Sequence, residues 1–310
     1  HSLDRRQRQM CIRDRCWGEN SLRQLGDGTT SHRNTPTATT YLDGVSHNRT
    51  AVKISAGGRG TCAILDNGSL SCWGSIHGSS PYYNPTIINL GVNQTVVDVS
   101  VGSSHTCAII YNGSLMCWGE NSQGQLGDGT TTHNYSPHVI NLGTGITAKS
   151  VFTTYMYTCA ILSNNDTKCW GANNYGQLGD GTSTNRNTPT LVSLPTQRQF
   201  VSLSLSSNHA CGILDDDSIR CWGSNSNGQL GDGTTTDQDT PTPIESLGKN
   251  MTNLIFNSDI DRDGFSDDID SFLNDSFRSV NCPYGTYGRY LCLDAPSGKF
   301  VQNTGSIYSS

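Results

Sequence analysis

Apolar residues in most of this chain fall in short runs, separated by stretches rich in Gly, Asn, Asp, Ser and Thr. One set of four runs is VVDVSVG from Val96, HTCAII from His105, SLMCWG from Ser114 and PHVINL from Pro137. β-Branched and aromatic residues fill the runs and turn-forming residues fill the gaps, as expected for β-strands. No stretch of this region shows the sustained 3.6-residue period of an amphipathic helix. The pattern predicts an all-β chain built from four-stranded units.

These units recur along the chain. Cys-Trp-Gly occurs five times, at intervals of 56, 45, 52 and 52 residues, starting at Cys16, Cys72, Cys117, Cys169 and Cys221. All copies but the one at Cys72 are followed by a loop containing Gln-Leu-Gly-Asp-Gly-Thr. A single four-stranded sheet cannot bury both of its faces, so such sheets stack radially in a β-propeller. We therefore predict an incomplete propeller ring of four complete blades and one partial blade, plus a small irregular C-terminal segment.

A tight hairpin is predicted between the second and third strands of each complete unit. The three-residue loop centred on Asn67 suits a type I turn followed by Gly in the left-handed conformation. This turn places Cys62 opposite Cys72 at a non-hydrogen-bonded site, where Cα atoms about 4.5 Å apart allow a disulfide. The same ten-residue step recurs in the later units. The predicted cross-strand disulfides are Cys62–Cys72, Cys107–Cys117, Cys159–Cys169 and Cys211–Cys221.

Other uses of these cysteines fit the spacing less well. Zinc ligands are usually two to four residues apart, and redox catalysis would require Cys-x-x-Cys, which the chain lacks. His105 and His209 precede a cysteine by two residues, but Gly60 and Tyr157 take that position in other units. We therefore interpret both histidines as structural.

The invariant residues of the repeat also have a structural interpretation. The Trp of Cys-Trp-Gly predicts packing between blades rather than ligand stacking. In the Gly-Asp-Gly-Thr loop, we expect Gly to supply positive φ, Leu to fill the blade interface and Asp to cap loop amides. A phosphate site would require a Lys and a following helix. Asp128, Asp180 and Asp232 recur identically, as scaffold residues do, and we predict no catalytic residues.

These motifs together resemble the regulator-of-chromosome-condensation repeat family. The resemblance runs from Cys16 to about Leu247 and rests on the H-x-C-A-I/L stretch, the following Trp-Gly and N-x-x-G-Q-L-G-D-G-T. It implies a propeller, which in this family typically has seven blades of four strands. Its relatives include a nuclear exchange factor for a small GTPase and a secreted inhibitor of β-lactamase, so the resemblance is specific to fold rather than function. We take residues 16–247 as the propeller repeats and expect N-terminal truncation.

Residues 1–15 differ from the rest of the chain. They hold five arginines and two aspartates, and they stop within a repeat motif. The stretch resembles a recurrent artefact of assembled metagenomic sequences; the alternative is a basic arm for an acidic partner. It lacks the apolar core of a signal peptide. With it set aside, the formal net charge changes from -6 to -9.

The repeats end before a segment rich in aspartate. We interpret residues 248–258 as a linker and 259–270 as a loop resembling thrombospondin type 3 or dockerin-like calcium loops. Oxygen ligands at positions 1, 3, 5, 7, 9 and 12, with Gly264 at position 6, follow the logic of a Ca²⁺ loop. The predicted ligands are Asp259, Asp261, Asp263, Phe265 through its carbonyl, Asp267 and Asp270. The alternative is a solvated acidic linker.

The last segment, residues 271–310, resembles the start of a cysteine-rich receptor-type module and looks truncated. Cys282 and Cys292 are expected to pair with each other or with cysteines further along. The chain also carries Asn-x-Ser/Thr sequons, usable only in a glycosylating host, and several of them are turn residues. They begin at Asn48, Asn67, Asn93, Asn112, Asn134, Asn165, Asn250 and Asn274.

Composition narrows the functional classes. The acidic balance disfavours nucleic acid as a partner, and no apolar run approaches the roughly 18 residues of a membrane span. Twelve regularly placed cysteines indicate an oxidising compartment. We predict a non-enzymatic extracellular or cell-surface module, stapled by disulfides and followed by a calcium-stiffened linker, that binds a protein or glycan. The alternatives are a secreted hydrolase-like propeller enzyme and an intracellular nucleotide-exchange factor or chromatin adaptor.

Overall fold

A computed structural model describes residues 15–40, 42, 49–76, 82–194 and 198–244, together with the backbone of two short strands near the C-terminus. The chain divides into two compact units, His1–Ile244 and Glu245–Ser310. The described residues form β-strands and contain no α-helix. The strands of the first unit are β1 Arg15–Gly18, β2 Arg33–Ala38, β3 Ala51–Ala56, β4 Gly60–Leu65, β5 Leu70–Gly74, β6 Tyr82–Ile87, β7 Val96–Val101, β8 His105–Ile110, β9 Leu115–Gly119, β10 Asn134–Val139, β11 Ala148–Thr153, β12 Tyr157–Leu162, β13 Thr167–Gly171, β14 Arg186–Leu191, β15 Phe200–Leu205, β16 His209–Leu214, β17 Ile219–Gly223 and β18 Gln238–Pro243. In the second unit, β19 (Lys299–Val301) pairs with β20 (Ile307–Ser309) in an antiparallel ladder.

The strands of the first unit form the predicted blades. Four antiparallel sheets each join four consecutive strands in sequence order: β3–β6, β7–β10, β11–β14 and β15–β18. We call them blades 2 to 5, and the two-stranded sheet of β1 and β2 is blade 1. The prediction of an all-β fold with four complete blades and one partial blade is confirmed.

The first strands of successive blades lie side by side and run in the same direction. Ser55 Oγ of β3 accepts the backbone N–H of Val101 in β7 at 3.0 Å. Ser100 Oγ of β7 accepts that of Thr153 in β11 at 2.9 Å. Because each blade folds as a meander from these strands, equivalent loops of all blades lie at the same end of the array.

The outermost strands begin earlier than the sequence predicts. The fourth strand of blade 3, expected from Pro137, starts at Asn134. Proline is tolerated on a strand with an unpaired edge, because no neighbouring strand there requires its N–H. Proline therefore lies within this outer strand instead of marking its start.

The hairpin register agrees with the prediction. Cys62 lies opposite Cys72, and the equivalent cysteines of blades 3, 4 and 5 face each other in the same way. The structure joins each pair as a disulfide, with Cα atoms 4.0–4.1 Å apart. At the turn position held by Gly68 and Gly113, blades 4 and 5 carry Asn165 and Asp217, both with positive φ.

The core lies between blades rather than within them. The Cys107 and Cys117 side chains of blade 3 pack in one cluster with Leu162 and Trp170 of blade 4. Equivalent clusters join blade 2 to blade 3 and blade 4 to blade 5. The tryptophans of blades 2 to 5 are fully buried, so their predicted packing between blades is confirmed. Trp17 of blade 1 is 61% exposed, because no described blade precedes it.

The long loops after Cys-Trp-Gly in blades 1, 3 and 4 clamp each of these blades to the next one. In blade 3, the carbonyl oxygen of Gln125 accepts the indole N–H of Trp170 at 3.0 Å and the Thr158 hydroxyl at 2.9 Å. A Cβ on Gly127 would lie 2.6 Å from Trp170 Nε1, so only glycine fits there. Gly129 N–H donates to the carbonyl oxygen of Asn187 on the outer strand of blade 4. These loops are therefore part of the blade interface.

Candidate functional site

The two ends of the blade array are built differently. The turns between first and second strands share one end with the long clamp loops, and we call it the loop end. The hairpins between second and third strands share the other end with the connections to the next blade, and we call it the hairpin end. The candidates for a binding surface are the side chains at either end that make no contact needed to hold the fold together.

A buried asparagine organises each clamp loop at the loop end. Asn121 Nδ2 donates to the carboxylate of Asp128 and to the carbonyl oxygens of Thr130 and Thr132, and its Oδ1 accepts the N–H of Leu126. Asn20, Asn173 and Asn225 occupy the equivalent positions, and all four side chains are completely buried. Sequence reasoning assigned no role to this residue, although an Asn opens all four loops.

The recurrent aspartate caps loop amides, as predicted. Asp128 Oδ1 accepts the N–H and hydroxyl of Thr130 at 2.9 and 2.8 Å. Burial alone would raise the pKa of Asp128, but hydrogen bonds from Thr130 and Asn121 outweigh it and hold the pKa below its usual value. In two blades the same carboxylate also pairs with an arginine, as in Asp180 with Arg186 at 2.7 Å. The repeated aspartates therefore act as scaffold residues.

His105 is a buried residue of the interface between blades 3 and 4. The Thr158 hydroxyl donates to Gln125, so its oxygen accepts from His105 Nε2 at 2.8 Å and fixes the neutral tautomer. His105 Nδ1 has no hydrogen-bond partner, and complete burial lowers the pKa of His105 to about 4. The structural interpretation of this histidine is confirmed.

Blade 4 breaks the repeat symmetry at the loop end. Tyr155 stands where blades 2, 3 and 5 have Gly58, Ser103 and Ser207. On its clamp loop, Tyr175 stands where the other loops have Leu22, Gln123 and Asn227.

Blade 4 therefore presents two exposed tyrosines and a half-buried methionine at the loop end. Tyr155 and Tyr175 are 47% and 43% exposed, and Met156 between the two elements is half-buried. The two elements are tied together, because Ala172 N–H donates to the carbonyl oxygen of Met156 at 2.9 Å. We call Tyr155, Met156 and Tyr175 the tyrosine patch. Tyrosine and methionine are enriched at protein interfaces.

The hairpin end exposes a different set of side chains. Val92 and Tyr111 are 89% and 83% exposed, the largest values among the apolar side chains that the structure describes. A cleft of about 560 Å³ opens beside Arg198, between blades 4 and 5. Asp215 and Asp216 lie 3.8 and 3.3 Å from the Arg198 guanidinium and neutralise its charge. With two carboxylates on one guanidinium and Asp166 in its lining, the cleft carries a net negative charge.

Several predicted sites lie outside the described residues. The calcium ligands Asp259, Asp261, Asp263, Phe265, Asp267 and Asp270 do so, as do Cys282 and Cys292. Within the described part of the chain, no group of three or more His, Cys, Asp or Glu side chains is arranged to hold a metal ion. That same part contains no helix of the length and apolarity needed for a membrane crossing.

Comparisons with known proteins agree with the repeat pattern. The model of the regulator of chromosome condensation (RCC1) repeat matches residues 16–64, 112–161, 169–213 and 216–255. A second model with the same description matches residues 96–125 and 200–229. The first model alone covers more than half of the chain.

A curated relative and two solved structures resemble the propeller region. The ultraviolet-B receptor UVR8 of Arabidopsis thaliana is 27% identical over 238 residues, which are 74% of this chain and 53% of the receptor. The chain thus spans about half the length of that relative. A crystal structure of Kap60 bound to yeast RCC1 (Prp20) matches with a TM-score of 0.63 at 19% identity, covering 75% of this chain and 60% of the matched chain. Human WBSCR16 matches with a TM-score of 0.63 at 18% identity, covering 75% and 62%.

At these identities the solved structures support the fold alone, whereas the repeat models establish the family. Each of the four matches of the first model contains a Cys-Trp-Gly motif and the clamp loop that follows it. The chain belongs to the regulator of chromosome condensation (RCC1) repeat family of β-propeller proteins.

Proposed function

We propose that this chain is a non-enzymatic binding module whose tyrosine patch docks a protein partner. The observation that carries the proposal is the break in repeat symmetry at Tyr155, Met156 and Tyr175. Residues that maintain a repeat fold recur from blade to blade, whereas the residues at these three positions differ between the blades, and in blade 4 both tyrosines are exposed and Met156 is half-buried. Large aromatic side chains supply most of the binding energy at protein interfaces.

Two further observations support a binding role. The carboxylates that recur in the clamp loops are engaged by threonine, asparagine and arginine side chains, so the scaffold uses them fully. The yeast RCC1 structure resembled by this chain contains Kap60 as a bound partner. A protein with this fold can therefore bind another protein.

A photo-crosslinking experiment tests the proposed surface. A photoreactive phenylalanine analogue is placed at Tyr175, at Tyr155 or, as the matched control, at Tyr111 of the hairpin end. We expect a discrete crosslinked partner from Tyr155 and Tyr175 and none from Tyr111. That product should disappear when the other patch tyrosine is changed to Ala. Equal crosslinking from both ends, or no dependence on the patch, would contradict the proposal.

We also propose that the module acts outside the cell or on its surface. Three of the disulfides lie entirely within blade interfaces, where Cys62, Cys107, Cys159 and their partners are fully buried. Disulfides are rare in the reducing cytosol and common in secreted proteins. Thiol titration of the unreduced protein, unfolded in denaturant so that burial cannot shield a free thiol, tests this location. Eight repeat cysteines resisting alkylation are expected; free thiols at all eight would rule the location out.

In the same proposal, the aspartate loop at 259–270 binds a calcium ion that stiffens the linker after the propeller. Five of its six proposed ligands supply carboxylate oxygens, the ligand type that Ca²⁺ prefers. Without a cation, so many negative charges in a short loop repel one another. The role of the ion is structural.

A further inference from the structure

The sequons of the described residues are unevenly placed in the fold. Asn67 and Asn112 lie in the hairpins of blades 2 and 3, Asn93 lies in the connection between these blades, and Asn165 lies in the hairpin of blade 4. All four are at the hairpin end and are exposed. Asn134, the remaining sequon, opens β10 opposite Gly119, at the loop end. One end of the propeller therefore collects the acceptor sites.

The side-chain hydrogen bonds of these asparagines differ in whether they involve the amide nitrogen Nδ2. Asn67 and Asn112 use Oδ1 to accept the backbone N–H groups of Ser69 and Ser114, at 3.1 and 2.9 Å. These contacts do not involve Nδ2, the nitrogen to which an N-linked glycan is attached. Asn134 is half-buried, and its Nδ2 lies 3.2 Å from His138 Nδ1.

The turn itself does not require asparagine. Asn67 Oδ1 accepts both the N–H and the hydroxyl of Ser69. In blade 5, Asp216 occupies the same position and accepts the N–H and the hydroxyl of Ser218. A carboxylate thus serves the turn as well as an amide does. The side-chain amides of Asn67 in blade 2 and Asn112 in blade 3 are therefore free to serve as attachment points for a glycan.

The most exposed apolar side chains lie next to these sites. Val92 directly precedes Asn93, and Tyr111 directly precedes Asn112. Val92 is 89% exposed and Tyr111 is 83% exposed. A bulky, solubilising glycan on each neighbouring asparagine would cover them.

We propose that Asn67, Asn93 and Asn112 carry N-linked glycans, which make the hairpin end a sugar-covered face and leave the loop end for the protein partner. This inference rests on the extracellular location proposed above. In the reaction, asparagine Nδ2 attacks the anomeric carbon of a lipid-diphosphate-linked oligosaccharide. A C–N bond forms, the C–O bond to the diphosphate breaks, Nδ2 loses a proton and the lipid diphosphate leaves.

The experiment expresses the whole chain behind a secretion signal in cultured insect cells. Peptide N-glycosidase in heavy-oxygen water converts each glycosylated asparagine into labelled aspartate, which peptide mass spectrometry locates. We expect label at positions 67, 93 and 112 and little at 134. Hydroxyl-radical footprinting gives a second readout: oxidation of Tyr111 should rise severalfold on deglycosylation, and that of Tyr175 should stay unchanged.

The matched control is the double variant Asn67→Asp, Asn112→Asp, which keeps the turn contacts seen at Asp216. It should fold, lose both glycans and show full oxidation of Tyr111. A secreted protein with paired repeat cysteines but unlabelled asparagines would overturn this inference while leaving the extracellular proposal intact. Secreted protein whose repeat cysteines remain free would instead refute the extracellular proposal.

Discussion

The indole nitrogen of Trp170 lies 3.0 Å from the carbonyl oxygen of Gln125, which belongs to the preceding blade. Trp73 and Trp222 make the same bond to Gln24 and Gln177. Each bond joins the invariant Trp of one blade to the clamp loop of the blade before it. Because the tryptophan is also fully buried, this contact carries both packing and polar stabilisation of the blade interface.

We expect Trp170→Ala to lower the free energy of unfolding by about 3–5 kcal/mol, the cost of removing a buried aromatic side chain. Trp170→Phe should cost about 1–3 kcal/mol, because it keeps most of the volume but loses the hydrogen bond. Trp17→Phe is the matched control and should change the value by less than about 0.5 kcal/mol, since Trp17 is 61% exposed. Urea denaturation measures all three; equal effects at Trp17 and Trp170 would contradict the assigned interface.

His105 predicts a specific loss of stability in mild acid. Its pKa is about 4 in the folded protein and about 6.5 in the unfolded chain, because burial disfavours the charged ring. The unfolded chain therefore binds the proton first, and the free energy of unfolding falls as the pH drops from 6.5 towards 4. Each pKa unit corresponds to about 1.4 kcal/mol, so the loss approaches about 3 kcal/mol.

The control for this prediction is His105→Gln, which can donate to Thr158 but does not titrate. Its stability should fall less steeply than that of the parent protein between pH 6.5 and 4.5, as measured by denaturant titrations at several pH values. The slope that remains comes in part from His209, whose pKa burial also lowers. The clamp-loop carboxylates affect the free energy of unfolding in a lower pH range. The pKa of Asp128 lies below its ordinary 3.8, so its contribution is present above that pH and disappears only in stronger acid. The same pH slope in His105→Gln and the parent protein would exclude His105 as the cause.

The four repeat disulfides should differ in their resistance to reduction. Cys211 of blade 5 is half-buried, whereas both cysteines of each other pair are completely buried. A reducing thiolate must reach a sulfur atom, so access controls the rate. In native protein, limited dithiothreitol followed by alkylation and peptide mapping should show Cys211–Cys221 opening first. In denaturant, the same treatment should reduce all four disulfides at similar rates. If Cys211–Cys221 still opened first there, burial would not be the cause of the difference.

Asn121 should be among the most sensitive polar positions of the molecule. Asn121→Ala leaves the buried N–H of Leu126 without its acceptor and removes the contacts to Asp128 and Thr130, so we expect a loss of at least about 2 kcal/mol. Its exposed neighbour provides the control, since Ser122→Ala should stay within about 0.5 kcal/mol. Thermal unfolding of both variants checks the difference, and comparable melting shifts would show that the loop does not depend on Asn121.

Calcium binding by the aspartate loop is a prediction from sequence. Titration calorimetry of the whole chain should detect one Ca²⁺ at up to millimolar concentrations, the range of extracellular calcium modules. Asp261→Ala should abolish the heat signal, whereas Asp239→Ala on the outer strand of blade 5 should leave it unchanged. Absence of binding at millimolar Ca²⁺, or binding unaffected by Asp261→Ala, would refute the site.

The repeat scaffold could be predicted closely because its determinants are local. The hairpin register that brings Cys62 opposite Cys72 follows from turn chemistry and the period of two along each strand. The burial of Trp170 follows from its recurrence in every unit, since a residue kept in all blades faces a contact kept in all blades. The role of Asn121 was missed because a polar residue at the start of a Gly-rich loop gives no local sign that it will be buried.

The tyrosine patch, in contrast, was not predicted from the sequence. Tyr155 and Tyr175 are separated by two strands, β12 and β13, and the hairpin turn between them. The pairing of Tyr157 with Gly171 and the bond from Ala172 to Met156 bring their elements together. The sequons likewise looked scattered along the chain until the meander placed Asn67, Asn93 and Asn112 at one end. Their separation in sequence says nothing about which end of a blade they occupy.

The sequence alone determined the all-β architecture, the blade period, the hairpin pairs and the family, because each depends on residues that are close together in the chain or repeated along it. Only the tertiary structure decided which side chains are buried in the blade interfaces and which remain exposed for binding. His105, Asn121 and Trp170 are buried by residues of a neighbouring blade or of a returning loop, whereas Tyr155, Tyr175, Val92 and Tyr111 are left exposed. That division depends on how one sheet packs against the next, which no local pattern encodes.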